Sequence, residues 1–248
     1  MLVLVTDFGL AGPYTGQMKA VLHQEAPGVP QVDLFADAPA FDPRSTAYLL
    51  PAYAGFFPLD SVFLVVVDPG VGTDRGAVVL RADGRWFVGP DNGVLAIVAR
   101  RARTARWWRI MARPRVLSNS FHGRDLFAPV AAALTRGETD ALTDVSRPDT
   151  DCGDWPDDLA AITYVDHYGN LLTGLRADRV PEGSHLRAAG WLVEPARTFG
   201  DVAEGTAFWY ENSNGLAEIA VNQGRADRLL GVGVGDGVAV VAGEARVS

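Results

Sequence analysis

A carboxylate, a guanidinium and an imidazole stand in this chain at the ends of apolar runs or in Gly/Pro turns. Asp68 closes the run Val62-Phe63-Leu64-Val65-Val66-Val67 and opens the turn Asp68-Pro69-Gly70-Val71-Gly72, with Arg75 seven residues after the aspartate. Proline presets φ and glycine accepts positive φ, so this turn reverses tightly. Arg75 can then fold back against the Asp68 carboxylate as a fixed cation, a pair poised to orient a third polar group. His122, in Phe121-His122-Gly123-Arg124-Asp125, sits at the start of a predicted helix, where unpaired N–H groups favour an anion. A histidine there is either a structural residue or a proton carrier. Asp7, at the end of Leu2-Val3-Leu4-Val5-Thr6, can accept two hydrogen bonds from a ribose diol, hold a cationic group or merely cap the next turn, and the same readings are open for Asp68 alone.

Two later turns, Asp166-His167-Tyr168-Gly169-Asn170 and Asn212-Ser213-Asn214-Gly215, carry the same polar character, whereas His23 and His185 have no polar companions. No His-Glu-x-x-His pattern or clustered carboxylates suggest a metal. Two glycine-rich stretches fail as phosphate loops. Gly231-Val232-Gly233-Val234-Gly235-Asp236-Gly237 precedes a strand-like run and reads as a hairpin. Gly89-Pro90-Asp91-Asn92-Gly93 precedes a helix but lacks the Lys-Ser/Thr of a triphosphate loop, and reads as a cap.

The elements that must position these residues alternate through the first part of the chain. Residues 2–6, Gln31–Phe35, Val62–Val67, Ala77–Arg81 and Trp86–Val88 are strand candidates, mostly the continuous apolar runs of strands buried on both faces. Thr15–Glu25, Pro43–Tyr53, Gly93–Arg103 and Arg124–Thr135 are helix candidates, the second opening with Asp42 as cap and Pro43 in the first turn. The pattern predicts an α/β N-terminal domain with a largely parallel sheet. Gly137 to Asp158 reads as a connecting segment. Beyond it, Ile162–Val165, Trp191–Val193, Ala207–Tyr210, Glu218–Val221 and Val238–Val241 are short strands with almost no helical period, which predicts a smaller all-β, barrel-like C-terminal domain. The expected division is residues 1–157, the α/β domain with its linker, and residues 158–248, the β-barrel domain.

A chain of 248 residues buries enough core to need no metal or disulfide. Its one cysteine, Cys152, rules out an intrachain disulfide and a multi-cysteine zinc site and fits a reducing compartment. No basic n-region follows Met1, and no span nears the roughly twenty apolar residues of a membrane helix. We expect a cytoplasmic protein without a membrane partner. The formal net charge of −8 disfavours a nucleic-acid partner, which needs a basic surface. The one basic, aromatic stretch, Arg100 to Arg109, reads as a solvated helix end running into a partly buried strand.

Taken together, Thr6-Asp7-Phe8-Gly9, Asp68-Pro69-Gly70-Val71-Gly72 with Arg75, Pro90-Asp91-Asn92-Gly93, Phe121-His122-Gly123-Arg124-Asp125, Asp166 through Gly169-Asn170, and Asn212-Ser213 through Glu218-Ile219-Ala220 resemble, in order, the adenosine-forming S-adenosyl-L-methionine hydrolase family. The family is related to enzymes that attack the same substrate with fluoride or chloride. The resemblance implies Asp68, Arg75 and His122 as a catalytic trio, with Asp7 on the ribose hydroxyls and Phe41 and Phe199 flanking sugar and adenine. It also implies Asp166 and Ser213 on the methionine amine and carboxylate, Asn170 and the backbone near Val221 on the adenine edge, and Glu218 as a further contact. It implies no cofactor and no metal, a small-molecule substrate, and a homotrimer with active sites where one subunit's N-terminal domain meets a neighbour's C-terminal domain. The reaction it implies is hydrolysis to adenosine and L-methionine.

Two rival functions compete with this reading. The related halogenases place a tyrosine at the position of Asp68 and a serine-type halide contact at that of Gly123. A carboxylate would repel a halide, so Asp68 and Gly123 favour water. A non-catalytic protein that binds S-adenosylmethionine or adenosine is the other rival, because fold alone does not establish activity. Simple binding does not require all three of Asp68, Arg75 and His122.

Overall fold

A computed structural model describes residues 1–243 apart from 113, 115, 116 and 151, so that residues 244–248 of the expected C-terminal domain lie outside the described residues. The chain divides into two compact units, Met1–Asp154 and Trp155–Ser248.

The first unit is built on a seven-stranded sheet. Its strands are β1 (Leu2–Thr6), β2 (Gln31–Phe35), β3 (Val62–Val66), β4 (Ala77–Ala82), β5 (Arg85–Pro90), β6 (Ala105–Ile110) and β7 (Leu142–Val145), in the spatial order β2-β1-β3-β5-β4-β6-β7. The β2-β1-β3-β5 part is parallel, and β4, β6 and β7 continue it antiparallel. Every residue of β1 and β3 is buried, as their unbroken apolar runs require in a strand covered on both faces. The helices are α1 (Tyr14–Glu25), α2 (Pro43–Ala54), α3 (Ala96–Arg101) and α4 (Ala128–Thr135). Leu2, Leu4, Val62 and Leu64 pack against Met18 and Leu22 of α1 and Ala128 and Ala131 of α4 in one core cluster.

Some elements differ from the sequence expectation. The segment Gly137–Asp158 is not only a connection, because it contributes β7, paired antiparallel with β6. Thr143 and Asp144 of that outermost strand are exposed, so its composition looks like a loop. The helix expected over Gly93–Arg103 is shorter, α3 starting only at Ala96. The helix expected over Arg124–Thr135 opens with a π-helical turn, Gly123–Phe127, that runs into α4. The basic stretch lies as expected, Arg100 and Arg101 ending α3 and Trp107 and Trp108 half-buried in β6.

The second unit is a seven-stranded, nearly closed barrel. Its strands are β8 (Leu159–Val165), β9 (Leu171–Arg176), β10 (His185–Ala188), β11 (Trp191–Pro195), β12 (Ala207–Glu211), β13 (Leu216–Val221) and β14 (Val238–Val241), in the order β14-β10-β11-β12-β13-β9-β8. A bridge between Ala161 and Gly237, with Ile162 N–H donating to Asp236 O (2.9 Å), joins the two ends. Ile162, Leu171, Leu186, Trp209 and Ile219 belong to its core. The glycine-rich run from Gly231 is not a hairpin. Gly231 caps a short helix, α5 (Ala226–Leu230), at φ +67°, and β14 pairs with β10 rather than with a strand just before it. A hairpin needs a strand on each side, and here the preceding segment is helical.

Asp42 caps α2 through its carboxylate, which accepts from Ser45 N–H (2.9 Å) and Ser45 Oγ (2.6 Å), with Pro43 in the first turn. Asp42→Ala should therefore lower unfolding stability by about 0.5–2 kcal/mol, read as a shifted denaturant midpoint with an unchanged slope.

Candidate active site

β1 is flanked by β2 and β3, with Thr6 opposite Val66. The chain leaves β1 for β2 on one side and returns through α2 to β3 on the other, so the strand order reverses between β1 and β3. In an open α/β sheet ligands bind at that point, beyond the carboxyl ends of the strands. Asp7 and Asp68 both emerge there and line one cavity of about 550 Å³, together with Phe41 and His122.

Arg75 ties the site together. Its Nε donates to Asp68 Oδ1 (2.9 Å), its Nη2 donates to Asp68 Oδ2 and to His122 Nδ1 (2.9 Å), and its Nη1 donates to Gly76 O (3.2 Å). The guanidinium also lies 5.2 Å from the Phe127 ring centroid. The Asp68 and Arg75 side chains are only 5% and 10% exposed. A guanidinium has no acceptor, so His122 Nδ1 must receive this bond, and the neutral imidazole then carries its proton on Nε2. Burial first, and the Arg75 cation second, hold His122 below the ordinary histidine value, against the upward pull of Asp68 and Asp125. His122 is therefore neutral at pH 7 and is a donor through Nε2.

Asp7 fixes a second wall. Its Oδ2 accepts the Phe41 N–H (2.9 Å) and steadies Phe41 at φ +59°, a conformation that side-chain-bearing residues rarely adopt. Burial pushes the Asp7 carboxyl up, the Phe41 bond partly offsets this, and Asp68 adds a smaller upward push. Phe8, Tyr14 and Phe121, which also line the cavity, meet in tilted and edge-on contacts with centroids 5.5–5.7 Å apart. Arg124 lies over the Phe121 ring and pairs with Asp125, which accepts the Ser118 N–H (2.8 Å) and so ties the loop before His122 to the helix after it. Gly123 lets this segment approach closely: a Cβ there would lie 3.1 Å from Met18 Sδ and 3.3 Å from Val66 Cγ1.

The second unit carries the remaining candidates. Asp166 accepts from Asn170 N–H (2.8 Å) and Asn170 Nδ2 (2.9 Å), which closes the loop between them. Arg225 buttresses that loop, donating to His167 O (2.8 Å) while paired with Asp227. Buried Glu218 accepts from Tyr210 Oη (2.8 Å) and Asn212 Nδ2 (2.8 Å), and burial raises its carboxyl. Burial and Glu218 together raise the Tyr210 phenol, leaving it a donor. Phe199 packs edge-on against Phe208 and Tyr210, Ser213 is exposed beside them in sequence, and Val221 O accepts the Gly224 N–H (3.1 Å).

Arg75 thus contacts both Asp68 and His122, and Asp7 and Phe41 are bonded to each other on the wall of the cavity that Asp68 and His122 line. Asp166 with Asn170, and Glu218 with Tyr210 and Phe199, lie in the second unit, where burial, with the Asp166 charge adding to it, raises both Glu218 and Tyr210. Sequence reasoning missed Tyr210, whose partner Glu218 lies opposite it across β12 and β13, a pairing that appears only once the register is known. It also missed the cavity walls Tyr14, which sits on a helix without a motif of its own, and Arg124, which stands out in sequence only as part of the motif around His122. Among the described residues no group of three or more His, Cys, Asp or Glu could hold a metal ion, and no helix is long and apolar enough to cross a membrane.

The fold and the site define a two-domain protein, α/β and then β-barrel, in whose first unit Asp68 and His122, both bonded to Arg75, line a cavity. Family models described as the SAM hydroxide adenosyltransferase N-terminal and C-terminal domains match residues 2–144 and 160–239. The chain belongs to the SAM hydroxide adenosyltransferase family. It is 39% identical to the (R)-S-adenosyl-L-methionine hydrolase of Thermus thermophilus, covering 92% of this chain and 94% of that protein. It is 37% identical to the protein of the same name from Salinispora arenicola, covering 96% of each. Among solved structures, an uncharacterized conserved protein from Thermotoga maritima is similar with a TM-score of 0.86 and 32% identity, covering 97% of this chain and all of the other.

An NMR pH titration should place the His122 midpoint below 6.5, and Arg75→Met should move it upward, because burial alone then opposes the pull of Asp68 and Asp125. A midpoint that stays put in the variant would mean that Arg75 does not act on the ring.

Proposed function

We propose that this protein hydrolyses S-adenosyl-L-methionine to adenosine and L-methionine by attack of water at ribose C5′. The observation that carries the reading is the buried contact of Arg75 with both Asp68 and His122, which line one cavity together with Asp7. The names of the Thermus and Salinispora relatives support it. In this reaction the water oxygen bonds to C5′ as the C5′–S bond breaks. The bonding pair moves to sulfur, which leaves as neutral methionine, so the leaving group needs no acid.

The harder requirement is the nucleophile, because water has a pKa of roughly 15.7. Asp68 is the group with free acceptor capacity, each oxygen retaining a lone pair beyond its bond to Arg75, and it takes the proton as the C–O bond forms. Arg75 holds that carboxylate in place. Neutral His122, its Nδ1 already engaged, serves as a donor through Nε2 to the reacting oxygen. Asp7 would hold the ribose hydroxyls, with Phe41 and Phe199 against sugar and adenine. Asp166 and Ser213 would take the amine and carboxylate, Asn170 and the backbone near Val221 the adenine edge, and Glu218 a further polar contact. No cofactor is required, since the sulfonium is already activated.

The reading extends to a homotrimer with active sites at subunit interfaces. Phe41 and Tyr14, 77% and 51% exposed on the cavity wall of one chain, offer apolar surface for a neighbour to cover. A cytoplasmic location belongs to the same proposal and is supported by the single cysteine, Cys152. Sedimentation should give a three-chain species, and full activity in a monomer would contradict shared sites.

Close packing around Gly123 favours water over a halide, because a serine there would crowd Met18 and Val66. The deciding experiment is incubation with S-adenosyl-L-methionine in ¹⁸O-labelled water, with and without chloride, read by chromatography and mass detection. Label at the 5′ oxygen of adenosine is the expected result. A 5′-chloro product would make the protein a halogenase, and bound but intact substrate would make it a binding protein.

A further inference from the structure

The segment Pro90-Asp91-Asn92-Gly93 reads from sequence as a cap, and neither Asp91 nor Asn92 lines the cavity. It does not cap α3, which opens with Leu95 at its N-cap and no side-chain cap bond, and its role lies in the sheet. β5 lies between β3 and β4, parallel to the first and antiparallel to the second. The end of β3, which leads to Asp68, and the start of β4, which follows Arg75, therefore come to the same side of the sheet as the end of β5. Pro90 stands opposite Ala77.

Both neighbours are gripped there. Asn92 Nδ2 donates to Val67 O (2.9 Å), the carbonyl directly before Asp68, while Asn92 Oδ1 accepts the Val94 N–H (3.2 Å) and so fixes which end of the amide faces Val67. A turn onto Val94 uses Oδ1 alone, so the Nδ2 bond has no part in it. On the other side Asp91 N–H donates to Gly76 O (3.0 Å), the same carbonyl that receives Arg75 Nη1 (3.2 Å). Gly76 is pressed against Asp91, and a Cβ there would lie 3.2 Å from Asp91 Cβ. Asp91 is itself anchored: its carboxylate accepts Asp149 N–H (2.7 Å) and Thr150 N–H (3.1 Å), and its carbonyl accepts Thr150 Oγ1 (2.7 Å).

We propose that Asp91 and Asn92 are positioning residues that set the separation at which Asp68 and Arg75 meet, a role that rests on the function proposed for that pair. The test uses Asn92→Asp, which keeps the acceptor for Val94 and removes the donor to Val67, and the milder Thr150→Val, which loosens Asp91 by one bond. Each is read by thermal midpoint, by kcat and KM for S-adenosyl-L-methionine, and by NMR titration of His122, whose environment reports where Arg75 lies. In folded Asn92→Asp, kcat should fall roughly 10- to 100-fold with KM nearly unchanged, and the His122 midpoint should rise toward 6.5 as Arg75 moves away. Thr150→Val should shift both in the same direction by less, and it decides the matter if Asn92→Asp does not fold. An unmoved midpoint, or an unchanged kcat in an active enzyme, overturns the proposal. If the unaltered protein leaves the substrate intact, the functional reading fails, and the titration still decides whether these residues position Arg75.

Discussion

The ion pair of Asp68 and Arg75 is the constraint around which the first unit is arranged. Removing two charges from water costs several kcal/mol per ion and is recovered only where the geometry is good and the remaining donors are used. Arg75 meets that condition by using both of its faces: two bonds to Asp68, one to His122 and one to Gly76 O, with Phe127 against the guanidinium. Such a pair is intolerant of drift, which is why its two residues spring from strands that share a neighbour and why the segment after that neighbour is bonded to both. The state of His122 is tied to the same cation, which adds to burial, the larger cause, in keeping the imidazole neutral.

Much of this was legible in the sequence because it is local. The apolar runs of β1 and β3 announce strands buried on both faces, and the aspartates that end them mark where a site opens. Arg75 lies close enough to Asp68 in sequence for a tight turn to bring them together. His122 is different, because its bond to Arg75 spans 47 residues and depends on α4 packing beside β3. Only the ordered set of motifs pointed to it. The register of β12 against β13, and with it the Tyr210–Glu218 pair, was not readable, since cross-strand partners are set by tertiary packing rather than by local pattern. Strand β7 was hidden for a related reason: an outermost strand with two exposed polar residues resembles a loop until its partner is known.

The functional reading depends on a division of labour between acid–base groups. A catalytic trio drawn from sequence leaves open which member takes a proton. The direction of one hydrogen bond fixes the His122 tautomer, because a guanidinium can only donate, and the proposed assignment of the base to Asp68 is built on that. In that proposal Asp68 and His122 have opposite tasks although both contact the same cation.

The sheets also constrain how copies of this chain can meet. Exposed strand edges invite other chains to add to a sheet, and proteins guard them with charges, short strands or closure. The barrel has few such edges, being joined at Ala161 and Gly237. In the other sheet, outermost β2 carries Asp33 paired with Lys19, and outermost β7 is four residues long with Asp144 paired with Arg106. Continuous strand addition is thereby discouraged in both units. With its strand edges guarded, the chain offers a neighbour side chains on loops and faces rather than unpaired backbone, and contact of that kind does not extend from copy to copy as strand addition does.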